Sequence, residues 1–261
     1  MKTAIIGVGA MGGAIARGLL RSGIIPAADL WLANPHTEKL ACLAAQGATL
    51  TTDNCLAATQ ADVVLLCVKP WQAEQVLQQI KPVMDYSRQT LVSVVAGLSG
   101  QRISQLMERD GKVPTLFLCL PNTAAAVGQS MTFLVPVTAD KEHTELVVNL
   151  LNRVGKVIIT DERLLPAGMA LASCGIAYAM RYARAATEGG VELGLRPNDA
   201  LQAVLQTMAG AAALLQESSS NPETEIDKVT TPGGFTIKGL NEMEHAGFSS
   251  AVIRGLKASV K

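Results

Sequence analysis

The stretch TAIIGVGAMGGAIARGLLRSG, Thr3 to Gly23, decides the fold. A short β-branched run leads into the pattern Gly7-x-Gly9-x-x-Gly12, and a small-residue amphipathic helix follows. In a dinucleotide site the first glycine permits a tight turn, the second admits a pyrophosphate, and the third lets helix and strand pack closely. The helix start offers free N–H groups and a positive dipole end to the phosphates. Strand, turn and helix in this order predict dinucleotide binding.

The alternation of strand and helix continues through the first half of the chain. DLWLANP, ADVVLLCVKP, QTLVSVVAGL, VPTLFLCLPN, SMTFLVPV and GKVIIT each have the apolar character of a strand. Such alternation predicts an α/β fold, a Rossmann-type parallel sheet with helices on both faces, and ligands bind beyond the carboxyl ends of its strands. Glycine, proline and polar residues fall at those ends: Gly7–Gly12, Asn34-Pro35, Val68-Lys69-Pro70, Val95-Ala96-Gly97 and Pro121-Asn122.

The second half reads as helix throughout, without a flexible linker. We therefore expect residues 1–160 to form an NAD(P)-binding Rossmann domain and residues 161–261 an all-helical domain for dimerisation and substrate. The run from Leu164 to Leu195 reads as one long helix that closes at Gly194. These helices are rich in Ala, Gly and Met. The small residues among them bury little area each, and a buried methylene is worth only about 0.8 kcal/mol. This predicts a homodimer whose helical halves interleave.

Composition argues against several other classes of protein. Twenty-two basic residues balance twenty-two acidic ones, which disfavours nucleic acid or an anionic membrane as a partner. The five cysteines form no CxxC pair, and the three histidines stand apart from other ligand-type residues. We expect free thiols and no metal site. The apolar run after Lys2 is broken by glycines and is too short to span a bilayer, so a cytoplasmic protein is expected.

The end of the second strand bears on the choice of nicotinamide cofactor. A carboxylate there usually holds the ribose 2′-hydroxyl of NAD. This strand instead ends in Ala33-Asn34-Pro35-His36. Asn34, Thr37 and a protonated His36 could donate hydrogen bonds to a 2′-phosphate, so NADP(H) is preferred. NAD(H) stays open because no arginine stands there, and His36 is equally well read as a solvated residue at a helix start.

Several motifs occur in an order that resembles the pyrroline-5-carboxylate reductase family across essentially the whole chain. They are GVGAMG, VKP, VAG, PN, TEGGVELGL, QTMAGAAALL, TPGGFTIKGL and MEHAGFSSAVIRG. The most specific is Pro-Gly-Gly-x-Thr-Ile, Pro232 to Ile237. The resemblance implies NAD(P)H-dependent reduction of 1-pyrroline-5-carboxylate to L-proline, the last step of proline biosynthesis. It also implies homodimers, which in the family often assemble further into decameric rings.

The resemblance implies positions for the ligands as well. Cofactor contacts are implied at Gly7, Val8, Gly9, Ala10, Met11, Gly12, Asn34, Asn54, Cys67, Val68, Lys69, Pro70, Val94, Val95 and Ala96. Substrate contacts are expected at Pro121, Asn122, Gly233, Gly234, Phe235 and Thr236.

The chemistry of the substrate suggests that the loop around Pro232 binds and positions it. A protonated cyclic imine is already electrophilic, so positioning is the main contribution of the protein. Thr230 and Thr231 offer hydroxyls, and the glycines let the backbone approach a ligand. The helix that begins near Phe235 directs N–H groups at the substrate carboxylate. Thr236 is the expected catalytic residue, which hydrogen-bonds the ring nitrogen as proton donor or relay.

Alternatives to this function stay open. The β-hydroxyacid dehydrogenases share the glycine pattern, but they need a lysine, and the run Ala167 to Val191 contains none. An NADP(H) sensor without turnover, a reductase of a related cyclic imine, and a plain Pro-Gly turn with capping threonines are further possibilities. Ile176 stands where the family usually has proline, which predicts a straighter helix, and Phe235 replaces a smaller residue and is expected to crowd the substrate.

Overall fold

A computed structural model describes residues 1–260 of the chain. They divide into two compact units, Met1–Ser173 and a second unit that begins at Cys174. All eight strands of the described residues lie in the first unit, and the second is helical. The last strand ends at Ile159, next to the boundary that the sequence pattern predicts, and the segment Glu162–Ser173 packs with the first unit.

The strands form one twisted doubly wound sheet in the order β3-β2-β1-β4-β5-β6-β7-β8. The chain therefore winds outward in both directions from the β1–β4 pair, and ligands of such sheets bind at this switch point. The predicted Rossmann-type fold is confirmed. The strands are β1 Thr3–Ile6, β2 Leu30–Ala33, β3 Thr49–Thr51, β4 Val63–Leu66, β5 Thr90–Ser93, β6 Thr115–Leu120, β7 Ser130–Pro136 and β8 Gly155–Ile159.

Two features of the sheet differ from the sequence prediction. The expectation of an all-parallel sheet was wrong for one pair, because β7 runs antiparallel to β6. Only the 3-10 turn Thr123–Val127 joins these two strands, and a parallel pair would need a long crossover connection. The edge strand β3 was missed, since three residues are too few to show a periodic pattern.

Helices cover both faces of the sheet, and alternate strand residues bury against them. Ile5 belongs to a core cluster under α1 and α6, whereas Ile6 belongs to the opposite cluster under α3, α4 and α5. This is why the strands have nearly continuous apolar sequences. The helices of this unit are α1 Ala10–Ser22, α2 Ala41–Ala44, α3 Asn54–Gln60, α4 Pro70–Ile80, α5 Gly100–Met107, α6 Lys141–Leu151 and α7 Leu165–Gly168.

The segment that leaves the sheet is not the single regular helix that the sequence suggested. A 3-10 turn at Glu162–Leu164, α7, and a π-helical turn at Met169–Cys174 precede the next helix. Ile176 lies in the regular helix that follows, two residues after the π turn ends. The helical run Glu162–Glu192 has the length and composition of a membrane span, with a mean hydropathy of 1.2 and 17% of its window buried.

The second unit has little core of its own. Ala183 and Ala200 are the only fully buried apolar side chains among its described residues, whereas Leu193 is 88% exposed and Phe235 is 94% exposed. Its helices pack chiefly through α8 and α9, and the left-handed Gly194 lies in the turn between them. The helices are α8 Gly175–Glu192, α9 Pro197–Ser218, α10 Pro222–Lys228, α11 Phe235–His245 and α12 Phe248–Ala258.

Candidate active site

Two of the three glycines in the β1–α1 turn are required by the protein itself. Gly7 has φ +92°, and a Cβ there would lie 2.8 Å from the backbone of Cys67 and Val68. A Cβ on Gly12 would overlap the carbonyl oxygen of Gly7. The tight turn and the close packing of helix on strand therefore account for these two glycines without any ligand.

Packing of the protein does not require a glycine at position 9. Gly9 is exposed, its φ is −86°, and a Cβ there would meet no atom within 4 Å. It is the N-cap of α1 and supplies no side-chain cap, so the first amides of the helix, which have no intrahelical acceptor, have no capping acceptor either. The open space beside Gly9 is the room that a pyrophosphate needs when it approaches such a helix start.

The other predicted cofactor segments lie beside this turn at the carboxyl edge of the sheet. After β1, β2, β4 and β5, the first backbone N–H donates to a carbonyl at or just beyond the neighbouring strand, at N···O distances of 2.7 to 3.0 Å. These bonds of the sheet therefore hold the predicted cofactor segments next to one another. The bonds run from Gly7 to Ala33, from Asn34 to Thr51, from Cys67 to Ile6 and from Val94 to Leu66.

The loop after β2 carries a carboxylate that the sequence reasoning did not weigh. Asn34 Nδ2 donates to the carbonyl of His36 at 3.2 Å, which uses one of its two N–H groups to hold the loop. His36 Nδ1 lies 3.3 Å from Glu38 Oε1, and both side chains are exposed. Asn34 and Thr37 can still donate to an anion here, and Glu38 competes for His36.

Lys69 and Asn54 occupy different environments. Lys69 is the exposed N-cap of α4, and Pro70 fills the first helical position, where its missing N–H costs nothing. Asn54 opens α3, and its Nδ2 donates to Gln79 Oε1 near the end of α4 at 3.1 Å. Lys69 thus lies at the carboxyl edge next to Val68, while the Asn54 amide is already engaged by a side chain of the same unit.

Burial determines the protonation state of two cysteine thiols in this region. Burial raises the pKa of the Cys67 thiol to about 12, and it also raises the pKa of Cys119. Both thiols are therefore protonated at neutral pH and are poor nucleophiles. Among the described residues no group of three or more His, Cys, Asp or Glu side chains is placed to hold a metal ion.

A cavity of 310 Å³ opens at the carboxyl ends of β5 and β6. Its walls are the loop Val95–Ser99, the strand end Leu118–Leu120, and the residues Glu162, Leu165, Pro166 and Met169. The predicted cofactor residues Val95 and Ala96 line it, whereas the wall from the segment after β8 was missed by the sequence reasoning. Only the folded chain brings that wall to β5, more than 60 residues away in sequence.

Asn122, predicted to bind substrate, is buried and engaged by the protein. Its Oδ1 accepts from the Ala124 N–H at 3.0 Å, and its Nδ2 donates to the Ala172 carbonyl at 3.2 Å. Its backbone N–H donates to Ser130 Oγ at 3.1 Å, and the preceding Pro121 is also buried. The structure thus gives this side chain partners at both ends of its amide.

The loop before α11 was the other predicted substrate segment. Gly233 has φ +71°, and the Gly234 N–H donates to the Thr231 carbonyl at 3.0 Å. A Cβ on Gly234 would overlap Thr231 Oγ1, so this turn requires a glycine. Thr230 Oγ1 donates to the Ile226 carbonyl at 2.7 Å, and the expectation that this hydroxyl is offered to a ligand was wrong.

Thr236 differs from Thr230 in its hydrogen bonding. It lies in the first turn of α11 and is exposed, and its hydroxyl has no hydrogen-bond partner within residues 1–260. The N-cap of α11 is Gly234, which offers no capping side chain, so the first amides of this eleven-residue helix are open to an anion. Phe235 beside them is almost fully exposed.

The chain matches two protein-family models. Residues 162–261 match the model described as pyrroline-5-carboxylate reductase dimerisation, and residues 2–97 match the model of coenzyme F420-dependent NADP oxidoreductases. The first matched region begins within two residues of the end of the strand pattern, where the sequence predicted the second domain.

Two proteins of Dictyostelium discoideum are similar over the whole chain. Pyrroline-5-carboxylate reductase 2 is 35% identical over 272 residues, which cover 99% of this chain and 90% of that protein. Pyrroline-5-carboxylate reductase 1 is 38% identical over 269 residues, which cover 98% of this chain and 48% of that protein. The chain therefore spans about half the length of the latter relative.

Solved structures agree in fold. A pyrroline-5-carboxylate reductase from Coxiella burnetii superposes with a TM-score of 0.89 at 29% identity, covering 99% of this chain and 96% of that one. The enzyme from Streptococcus pyogenes gives a TM-score of 0.84 at 31% identity, covering 100% and 96%. The Plasmodium falciparum enzyme, solved with NADP bound, gives 0.89 at 24% identity, covering 100% and 95%, and supports the fold alone.

Proposed function

Because the chain belongs to the pyrroline-5-carboxylate reductase family, we propose that it reduces the C=N bond of 1-pyrroline-5-carboxylate to give L-proline. This is the last step of proline biosynthesis, and NADPH is the preferred reductant. The observation that carries the proposal is the open space at Gly9, in a turn whose other two glycines are required by packing. A turn of this kind at the switch point of a doubly wound sheet suits a dinucleotide.

The residues that would hold NADPH surround this turn. The amides at the start of α1 bind the pyrophosphate, and the open space at Gly9 gives it access. Asn34 and Thr37 donate to the 2′-phosphate at a strand end that carries no carboxylate, although Glu38 nearby leaves NADH as a second substrate. NADPH supplies the hydride when bound. Lys69, Pro70 and Val94 to Ala96 are the neighbouring residues at the same edge of the sheet.

The substrate is an anionic imine, and the loop before α11 suits both of its polar groups. The carboxylate accepts hydrogen bonds from the first amides of α11, which have no capping side chain. The Thr236 hydroxyl, free of protein partners, donates to the neutral ring nitrogen and relays a proton from solvent to it, which makes the C=N carbon electrophilic. Gly233 and Gly234 leave the backbone unobstructed for this approach. Catalysis then depends mainly on positioning, since the protonated imine needs no further activation.

We propose a homodimer formed by the helical unit. Residues 162–261 match the family's dimerisation model, and this unit has few buried side chains of its own. A second copy would fill the 520 Å³ apolar groove between α8 and α12, lined by Tyr178, Tyr182, Phe248 and Val252. Such packing also explains an apolar yet poorly buried helix at Glu162–Glu192. The same proposal includes further assembly of dimers into a decameric ring and a location in the cytoplasm. It also includes a cofactor domain at residues 1–160 and a dimerisation and substrate domain at residues 161–261.

A direct assay tests the function. The purified chain is mixed with NADPH and 1-pyrroline-5-carboxylate, and NADPH absorbance and L-proline are followed together. We expect one proline formed for each NADPH oxidised, with slower turnover when NADH replaces NADPH. NADPH binding without oxidation, with this and other cyclic imines, would overturn the proposal and favour a cofactor sensor. The Gly9→Val variant is the control: its Cβ meets no protein atom within 4 Å, and the branched side chain should block the cofactor.

A further inference from the structure

The segment between β8 and α8 is held against the rest of the first unit at three points. Glu162 Oε1 accepts from the Gly100 N–H, the first residue of α5, at 3.1 Å. Gly168 lies so close to the Phe133 ring that a Cβ there would come within 2.7 Å of it. The third point is the hydrogen bond from Asn122 Nδ2 to the Ala172 carbonyl.

These attachments bound one wall of the 310 Å³ cavity. Leu165, Pro166 and Met169 line the cavity between the first and the third attachment, opposite the loop that begins at Val95. The Glu162 attachment fixes the start of this wall. The Asn122 attachment fixes its end, where the chain has left the regular α-helical register for a π turn, Met169–Cys174.

A π turn needs such support more than a regular helix does. Its hydrogen bonds skip to the fifth residue instead of the fourth, and π turns in α-helices occur often at functional sites. A backbone carbonyl has two lone pairs, so the Ala172 oxygen can accept from Asn122 in addition to any helical donor. Both groups are buried, with Asn122 only 7% exposed, so water does not compete for this bond.

Asn122 is itself held rigidly. Its Oδ1 caps the 3-10 turn Thr123–Val127, and its backbone N–H donates to Ser130 Oγ, which lies 3.2 Å from Thr132 Oγ1. Ser130 and Thr132 are on β7, so the amide is oriented by the sheet. The chain thus has a rigid donor at the carboxyl end of β6, aimed at one carbonyl of the π turn.

We propose that Asn122 is a positioning residue for imine reduction, which holds the π turn Met169–Cys174 against the end of β6 and so fixes the cavity wall. This inference rests on the proposed function. It replaces the sequence expectation of a direct substrate contact, because both ends of the amide already have protein partners.

The Asn122→Asp variant isolates this bond. Aspartate retains the oxygen that caps Ala124, loses the donor to Ala172, and places a negative charge against a carbonyl. Asn221→Asp is the matched control: Asn221 caps α10 through its Oδ1, which accepts from the Glu223 N–H at 2.9 Å, and it is exposed. Asn122→Ser is a neutral second variant, since serine can still cap but cannot reach Ala172.

Hydrogen exchange and kinetics are measured on the full chain. We expect both Asn122 variants to accelerate amide exchange across residues 165–174 about tenfold or more, in the absence of substrate, because local opening becomes easier. We expect kcat to fall about 10- to 100-fold through misplacement of the wall, with the KM for NADPH unchanged. Asn221→Asp should leave all three quantities at wild-type values.

The outcomes separate the possible roles. Unchanged exchange across 165–174 together with a raised KM for the imine in Asn122→Asp would indicate direct substrate contact and overturn the inference. Unchanged exchange and unchanged kinetics would overturn it as well. A wild-type chain that reduces no imine would refute the proposed function alone, because the exchange measurement needs no turnover and would still show whether Asn122 holds the π turn. If Asn122→Asp does not fold, Asn122→Ser decides.

Discussion

The two units of the chain differ in how far they bury their apolar side chains. In the first, strands such as β4 are buried on both faces, and two clusters of apolar side chains form a complete core. In the second, apolar side chains such as Leu193, Leu205 and Leu214 are left exposed. Apolar residues in a sequence therefore predict burial, but they do not say whether the covering surface comes from the same chain.

The same contrast applies to the glycine-containing loops of the two units. In the first unit, packing explains Gly7 and Gly12 and leaves only Gly9 for a ligand. In the second, the turn at Gly233 and Gly234 is closed by its own hydrogen bond to Thr231, while the Thr236 hydroxyl next to it is free. In each loop the residue without a structural task is the better candidate for function.

The largest effect is expected where the second unit would meet a partner. Val252→Asp places a charge in the apolar groove of α12 and should cost about 4 kcal/mol or more of dimer stability, because the carboxylate would be buried unpaired. Sedimentation at micromolar concentration should then show monomers with lost activity. Ser250→Asp, on an exposed position of the same helix, should remain dimeric. A dimeric and active Val252→Asp protein would contradict the view that the second unit, unlike the first, is buried by a partner chain.

Gly12→Ala should destabilise the first unit by about 3 kcal/mol, since the new methyl group overlaps the Gly7 carbonyl and forces α1 away from the sheet. Chemical denaturation measures the change in the free energy of unfolding. Gly23→Ala is a poor control because its φ is positive, so Gly210→Ala in α9, where a Cβ meets nothing, is used instead. Equal stability of the Gly12→Ala and wild-type proteins would mean that the turn is not packed as described.

Gly9→Ala should do the reverse of Gly12→Ala. No protein atom opposes the methyl group, so the free energy of unfolding should change by less than about 1 kcal/mol. NADPH affinity, measured by calorimetry, should fall about 10- to 100-fold, because the pyrophosphate can no longer approach the backbone. Full NADPH affinity in a stable Gly9→Ala protein would contradict the assignment of this turn to the cofactor.

Thr236→Ala should lower kcat for the imine about tenfold and leave NADPH binding intact, because only a proton donor to the ring nitrogen is removed. Thr230→Ala is the matched control: its hydroxyl is bonded to the Ile226 carbonyl, so it should affect stability rather than turnover. Turnover by Thr236→Ala at the wild-type rate would leave the α11 amides as the only contribution of this loop.

The smallest effect concerns the Cys67 thiol, just after β4. Cys67 has its pKa raised to about 12 by burial, from 9.0. Its contribution to stability is therefore complete below about pH 9 and is lost as the pH rises toward 12, since the unfolded chain releases the proton first. The stability difference between wild type and Cys67→Ala should shift by about 1 kcal/mol against the wild type from pH 8 to pH 10. Denaturation curves at both pH values test this, and a pH-independent difference would mean that the thiol is hydrated.

Much of the first unit could be predicted because its determinants are local. Seven of its eight strands and the α1 helix follow from runs of a few residues, and Gly7-x-Gly9-x-x-Gly12 marks the turn between β1 and α1. The strand β3 was missed because three residues carry too little periodicity. The direction of β7 also escaped, since it depends on the length of one connection.

By itself, the sequence determined where strands and helices form, where the glycine turns lie, and which family the motifs resemble, because each depends on neighbouring residues. The tertiary structure alone decided the partners of Asn122 and Glu162, which lie 50 and 62 residues away along the chain. It also decided which glycine is left open and which thiols are buried. These depend on distances in the packed molecule, and no local pattern encodes a contact whose two halves are assembled only by folding.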